Sequence, residues 1–261
     1  MFNHNIDPVL FHLGPLEIRY YGIIYALGFI IAYFFLKRMV AEQKINLTKD
    51  DVGDLIFWIA VGVVIGARFF HVFVYNAGYY LKNPAEIIMV WHGGLSFHGG
   101  LVGAIIAAWV FCRKKKVSLL EIADIIVIPA ALALSLGRIA NFINAEIVGK
   151  VTDLPWCVNF PGYEGCRHPS QIYEAFKNFF IFLVLWSIRN LKLAKGSVFS
   201  IFLILYGLLR TLAEFVKDQP IIFAKLTMGQ LLSIPMFFLG LFLLLHFNKI
   251  ELKIGRVKIK F

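Results

Sequence analysis

IIVIPAALALSLGRIANFINAEIVG, Ile125–Gly149, decides the fold. An apolar run passes without interruption into Gly137–Gly149, which carries Arg138, Asn141, Asn144 and Glu146. The surrounding chain shows what kind of helix this is. Of 261 residues, 59% are hydrophobic, 16% aromatic and only 16% charged, with a mean hydropathy of +0.75. That is far from a soluble globular domain. Polar residues at the end of such a run therefore sit at membrane depth or its edge, where charge is expensive and tends to be functional.

Apolar runs near the roughly 20 residues needed to span a bilayer fall at 20–36, 55–75, 95–111, 121–138, 174–188, 197–216 and 229–247. The expectation is an all-α polytopic bundle of seven transmembrane helices, because only helices satisfy every backbone group within a single segment. The fourth and fifth runs are short by strict hydropathy, so their ends should include polar residues facing protein. No repeat of 20 to 50 residues is visible, which makes residues 1–261 a single membrane-embedded domain. The outer segment at about 144–169 has the length and turn residues for a small extracytoplasmic cap.

Lys and Arg set the orientation. Lys37, Arg38, Lys44, Lys49, Arg113, Lys114, Lys115, Lys116, Arg189, Lys192, Lys195, Lys249, Lys253, Arg256, Lys258 and Lys260 fall on one side; Arg19, Lys82, Lys150, Arg167, Lys217 and Lys225 fall on the other. The N-terminus is then outside and the C-terminus cytoplasmic. The net charge of +10 reads as topology and contact with anionic membrane lipids. Nucleic acid is set aside, because no basic residues group on a soluble domain. The first span lacks a basic leader and a small-residue cleavage site, so it reads as uncleaved. Cys157 and Cys166 share the long outer segment, which leaves an outer disulfide or two free thiols open. No Cys/His spacing resembles a metal or haem site.

Four basic residues remain in or beside the spans: Arg68, Arg138, Lys177 and Arg210. The alternating topology places Tyr21, Arg68, His71, His98, Arg138 and Arg210 toward the outer helix ends. Two arginine forks at one level suit a phosphate held bidentately. The bland alternative is two structural pairs, Arg138 with Glu146 and Arg210 with Glu214. Tyr206, Arg210 and Glu214 recur every four residues as one polar stripe. In GGLSFHGGLVG (Gly93–Gly103), glycines around His98 permit close approach of a neighbouring helix or of a ligand. Imidazole, with a reference pKa of about 6.5, suits a general base; a packing histidine is the plainer reading. His71, His92 and His168 are weaker candidates.

These blocks resemble those of the bacterial prolipoprotein diacylglyceryl transferases. The resemblance runs from about Pro15 to Pro235. It is carried by Gly137–Gly149 and by RYYGIIYALG (Arg19–Gly28), GARFFHVFVY (Gly66–Tyr75), GGLSFHGGLVG, RHPSQIYEA (Arg167–Ala175), YGLLRTLAEF (Tyr206–Phe215) and TMGQLLSIPM (Thr227–Met236). It implies an enzyme of the bacterial inner membrane that moves diacylglyceryl from phosphatidylglycerol to the lipobox cysteine of a prolipoprotein signal peptide, releasing glycerol phosphate. No cofactor or metal is implied. His98 would be the essential histidine, and Arg138 and Arg210 the key arginines. Tyr21, Asn141, Glu146, Gly149, Tyr206 and Glu214 are implicated with them. Ala140 and Ala145 stand where the family commonly has glycine, Thr211 where it has an aromatic, and Lys217 where it often has arginine.

The chemistry implied needs a base and an anion clamp. His98, Arg210 and Tyr21 are the catalytic candidates. Arg138, Asn141, Asn144, Glu146 and Gly149 are expected at the phospholipid, with Tyr206, Glu214 and Arg68 in support. A transporter or flippase for an anionic lipid or solute is the alternative, and would need gates on both sides. A serine protease built on Ser96 is a further one, but GLSF lacks the glycine expected after such a serine.

Overall fold

The computed structural model describes residues 2–14, 16–43, 45–90, 93–248, 252–254 and 257–259. Expectations for Lys44, His92, Lys249, Arg256 and Lys260 lie outside the described residues. Eight α-helices carry the described fold: α1 (Tyr20–Glu42), α2 (Lys49–Phe70), α3 (Ala77–Lys82), α4 (Phe97–Lys115), α5 (Leu119–Ile143), α6 (Ser170–Ile188), α7 (Ser197–Ala213) and α8 (Met228–Asn248). The strands β1 (Phe2–Asn3), β2 (Val9–Leu13), β3 (Leu16–Arg19), β4 (Val158–Asn159), β5 (Ile221–Phe223), β6 (Leu226–Thr227), β7 (Leu252–Ile254) and β8 (Val257–Ile259) form two-stranded ribbons. β1 runs parallel to β4; the other three pairs are antiparallel.

Among the described residues, five stretches are long and apolar enough to cross a membrane: Tyr20–Glu42, Lys49–Tyr75, Leu119–Ile143, Ser197–Val216 and Met228–Asn248. The chain is a helical membrane protein. Helices also occupy the other two expected segments, but their composition differs. α4 ends on Arg113, Lys114 and Lys115. α6 turns Gln171, Glu174 and Asn178 onto its buried face, so its polar residues are satisfied or used inside protein and lower its hydropathy.

Two compact units divide the chain: one holds the residues up to Phe35 and from Ala123 onward, the other Leu36–Ile122. In the second unit, α2 opens on a reciprocal cap. Asp51 N donates to Thr48 Oγ1 (3.1 Å) and Thr48 N to Asp51 Oδ2 (2.8 Å), satisfying two donors that a helix start leaves free. α2 then passes into a π-helical turn, His71–Tyr75. α4 packs against it through small residues. A Cβ on Gly66 would strike the Gly99 carbonyl and Gly103, and one on Gly62 would lie 2.7 Å from Ala107 Cβ. Glycine here lets two backbones approach, as small residues do between membrane helices.

In the first unit, α5 continues beyond the expected 121–138 span to Ile143. Arg138 and Asn141 therefore project from its last turns. Near its start, buried Asp124 accepts from Gly196 N and Phe199 N, both at 2.7 Å, and so caps α7. α7 and α8 close on each other at Gly207 and Gly240; added Cβ atoms would meet Phe237 N at 2.7 Å and Leu203 Cβ at 2.8 Å. α8 begins with a second reciprocal cap, in which Thr227 N donates to Gln230 Oε1 (3.1 Å) and Gln230 N to Thr227 Oγ1 (3.3 Å).

The 144–169 segment folds around Val148, Val158 and Phe160, with Phe142 and Ala145 packed against them. Cys157 and Cys166 are disulfide-bonded, with Cα atoms 5.5 Å apart; of the two states left open by the sequence, the structure takes the bridged one. β1 joins from the other end of the chain: Phe2 pairs with Val158, and His4 Nε2 lies 2.7 Å from the Phe142 carbonyl.

Candidate active site

Glu174 is the centre of the first unit's polar interior. α6 places it fully buried, and four cations converge on it. Arg138 Nε from α5 lies 2.9 Å from Oε2 and Lys177 Nζ 3.7 Å from the same oxygen, while Arg210 of α7 and Lys217 both ion-pair with Oε1. Arg210 Nη2 also reaches Glu214 Oε2 at 3.1 Å, and Lys217 lies 3.8 Å from it. Glu214 has room because Gly229 has no side chain: a Cβ there would sit 2.5 Å from the carboxylate.

A second line of contacts runs along the end of α5. Arg138 Nη1 donates to Asn141 Oδ1 (3.1 Å), and Asn141 Nδ2 donates to Glu146 Oε1 (2.7 Å). The pairing of Arg138 with Glu146 is thus indirect, through Asn141, and its direct carboxylate is Glu174. Tyr206 lies within hydrogen-bonding reach of Arg138, and its ring carries Lys177 Nζ 4.4 Å above the centroid. Tyr21 stacks on Tyr25 at 4.8 Å, with their hydroxyls 3.1 Å apart, and feels the charges of Glu146 and Arg138. Asn144 Oδ1 is buried with no hydrogen-bond partner among the described residues. Gly149 is a crossing point of backbone: its N donates to the His168 carbonyl (3.0 Å), and an added Cβ would collide with His168 and with the Val216 carbonyl. Burial holds the His168 imidazole below its usual value, which favours the neutral ring that meets Tyr173 OH at 3.2 Å.

Four cations (Arg138, Lys177, Arg210, Lys217) share this interior with three carboxylates (Glu146, Glu174, Glu214). Counted by formal charge, one positive charge is left over among these seven residues. Buried charge without a counter-charge is costly, so the arrangement suits a monoanion. A phosphodiester has that charge and the oxygen geometry that guanidinium forks match.

His98 and Arg68 belong to the second unit. His98 opens α4 just after its N-cap and lies exposed, with Nδ1 3.4 Å from Tyr75 OH. Arg68 is buried and fully engaged by loop carbonyls: Nε by Ile87 (2.9 Å), Nη1 by Gly93 (2.6 Å) and Gly94 (3.0 Å), Nη2 by Met89 (3.2 Å) and Glu86. It shapes the segment leading into His98. Ser96 is buried, and its Oγ accepts from Gly99 N at 3.2 Å, so its hydroxyl serves as a helix cap.

A sequence model of the prolipoprotein diacylglyceryl transferases matches residues 8–246. The chain belongs to this family. A phosphatidylglycerol-prolipoprotein diacylglyceryl transferase of Geobacter sulfurreducens is 46% identical over 91% of this chain and 94% of its own length. Relatives with the same name in Cupriavidus metallidurans and Nitratidesulfovibrio vulgaris are 41% and 40% identical, the first over 90% of both chains, the second over 92% of this chain and 94% of its own. For a prolipoprotein diacylglyceryl transferase, Glu174 and Lys177 are the buried charges that sequence reasoning left without a role. Their signal was present in RHPSQIYEA and the residues after it: Gln171, Glu174 and Asn178 recur at helical spacing within an apolar run.

Proposed function

We propose that this chain is a membrane transferase that moves the diacylglyceryl group of phosphatidylglycerol to the lipobox cysteine of a prolipoprotein signal peptide. The carrying observation is the buried cluster around Glu174, whose surplus cation suits one phosphodiester. The names of the relatives supply the substrates. Arg138 and Arg210 hold the phosphate, and Asn141 and Glu146 orient Arg138. Asn144 and Gly149 line the headgroup, Tyr21 donates to it, and Tyr206, Glu214 and Arg68 support the arginines and His98.

A cysteine thiol, with a reference pKa of about 8.5, must lose its proton to act as nucleophile. His98 takes that proton. The sulfur attacks the glyceryl carbon, a C–S bond forms, and the C–O bond to phosphate breaks with its electron pair on the departing glycerol phosphate. The arginines offset the charge gathering there. The Lys/Arg distribution and the Cys157–Cys166 disulfide, a bond suited to oxidising compartments, support seven spans with the 144–169 cap, the N-terminus and the site on the extracytoplasmic face of a bacterial inner membrane. A transporter is disfavoured, because the relatives that cover nearly the whole chain are named as transferases.

The test is mass measurement of a lipobox peptide after incubation with purified protein and phosphatidylglycerol. A diacylglyceryl adduct on cysteine with stoichiometric glycerol phosphate is expected; lipid movement without an adduct favours the transporter. Arg138→Lys keeps the charge but loses the fork, and should lower kcat/KM about a hundredfold while thermal unfolding stays near the parent's. A rate and phosphatidylglycerol affinity equal to the parent's would remove Arg138 from the clamp.

A further inference from the structure

Lys177 stands apart from the other three cations. Its side chain is 7% exposed, yet Nζ makes no hydrogen bond among the described residues. Glu174 Oε2, at 3.7 Å, is beyond hydrogen-bond reach and is already held by Arg138 Nε at 2.9 Å. Glu174 Oε1 is taken by Arg210 and Lys217. What remains to Lys177 is the face of the Tyr206 ring. An ammonium has three donors and no acceptor role, and burying it without acceptors is costly. A packing role at this position would be filled more cheaply by an apolar side chain of similar length.

We infer that Lys177 is a third anion-binding residue of the site, donating to the phosphate group that Arg138 and Arg210 also hold. The inference rests on the functional reading above. The geometry favours it in two ways. Lys177 and Arg138 approach the same oxygen of Glu174, and Lys177 stands over the ring of Tyr206, whose hydroxyl feels the Arg138 charge, so one phosphate can bridge them. They also repel each other across the one Glu174 oxygen they share, so a second anion relieves a repulsion besides making hydrogen bonds. Tyr206 then acts as the spacer that keeps the ammonium directed at the anion and away from the carboxylates.

The sign of the stability change separates this role from a structural one. Full-length protein carrying Lys177→Met, Lys177→Gln or Lys177→Arg is melted alone, with inorganic phosphate and with glycerol phosphate, and KM is measured for phosphatidylglycerol in nanodiscs. Removing the charge should raise the Tm of the ligand-free protein and at least halve the Tm shift that saturating glycerol phosphate produces. KM for phosphatidylglycerol should rise about tenfold with kcat within about twofold, the pattern of lost ground-state binding, and Lys177→Arg should restore it. A shift with glycerol phosphate alone marks a headgroup site; an equal shift with inorganic phosphate marks a site for the phosphate group itself, and both support the inference. A lower ligand-free Tm with unchanged KM and shift, or failure of both neutral variants to fold, overturns it. If the parent transfers diacylglyceryl and Lys177→Met matches it throughout, the inference fails and the transferase reading stands. If the parent forms no adduct yet only the parent is stabilised by glycerol phosphate, the transferase reading fails and the anion site stands.

Discussion

Ala145 and Ile147 hold φ of 55° and 57° on either side of Glu146. In this left-handed region a Cβ costs about 1 to 2 kcal/mol, and the β-branched Ile147 fits it worse than alanine does. The turn accepts that cost while presenting Glu146 to Asn141. Ala145→Gly should therefore raise stability by about 1 kcal/mol, seen as a higher Tm, and should loosen Glu146 without speeding transfer. His98 is tested by its pH profile: His98→Gln should lower the rate most where the parent's thiol depends on a base, and flatten the neutral-pH limb. An unchanged profile would leave the thiol to ionise unaided. Arg138, Arg210, Asn141 and Glu146 were legible because polar side chains stand out in apolar runs. Glu174 was not, because it lies at the boundary drawn for the fifth span and its meaning depends on partners from α5, α7 and the turn after α7. In the sequence Lys217 shows only the loss of a guanidinium fork; its burial with Glu174 and Glu214 depends on folded partners that one letter does not name.

At the scale of elements, hydropathy located helices well and ended them poorly. α5 and α1 outrun their expected spans because helix propagation ignores the membrane boundary, whereas α6 begins at Ser170, before its apolar run, since its first turns are buried by protein. Glycines in Gly93–Gly103 could have served a ligand or a neighbour; at Gly99 and Gly103 it is α2. Gly66→Ala tests that contact. The added methyl would meet backbone of Gly99 and Gly103, which cannot rotate away, so destabilisation of about 1 to 3 kcal/mol is expected from overpacking. It should appear as a lower Tm in detergent. A Tm equal to the parent's would mean that the helices separate without cost.

At the scale of the whole molecule, the orientation proposed from the Lys and Arg distribution can be tested by labelling. Lys225→Cys should react with a membrane-impermeant maleimide in intact cells, and Lys192→Cys only after lysis; both positions are exposed. Reversal of the two would overturn the orientation. The helical class and family were legible across nearly the full length, because several ordered blocks agree. The N-terminal strand was not, since two residues carry no periodicity. Yet β1 pairs with β4 through Phe2 and Val158, and His4 is anchored at Phe142. Closing a loop of that length demands a large entropic outlay before any contact is made. The Phe2–Val158 pairing therefore cannot form until α1, α2, α4 and α5 have all been synthesised, which makes it a late step of folding.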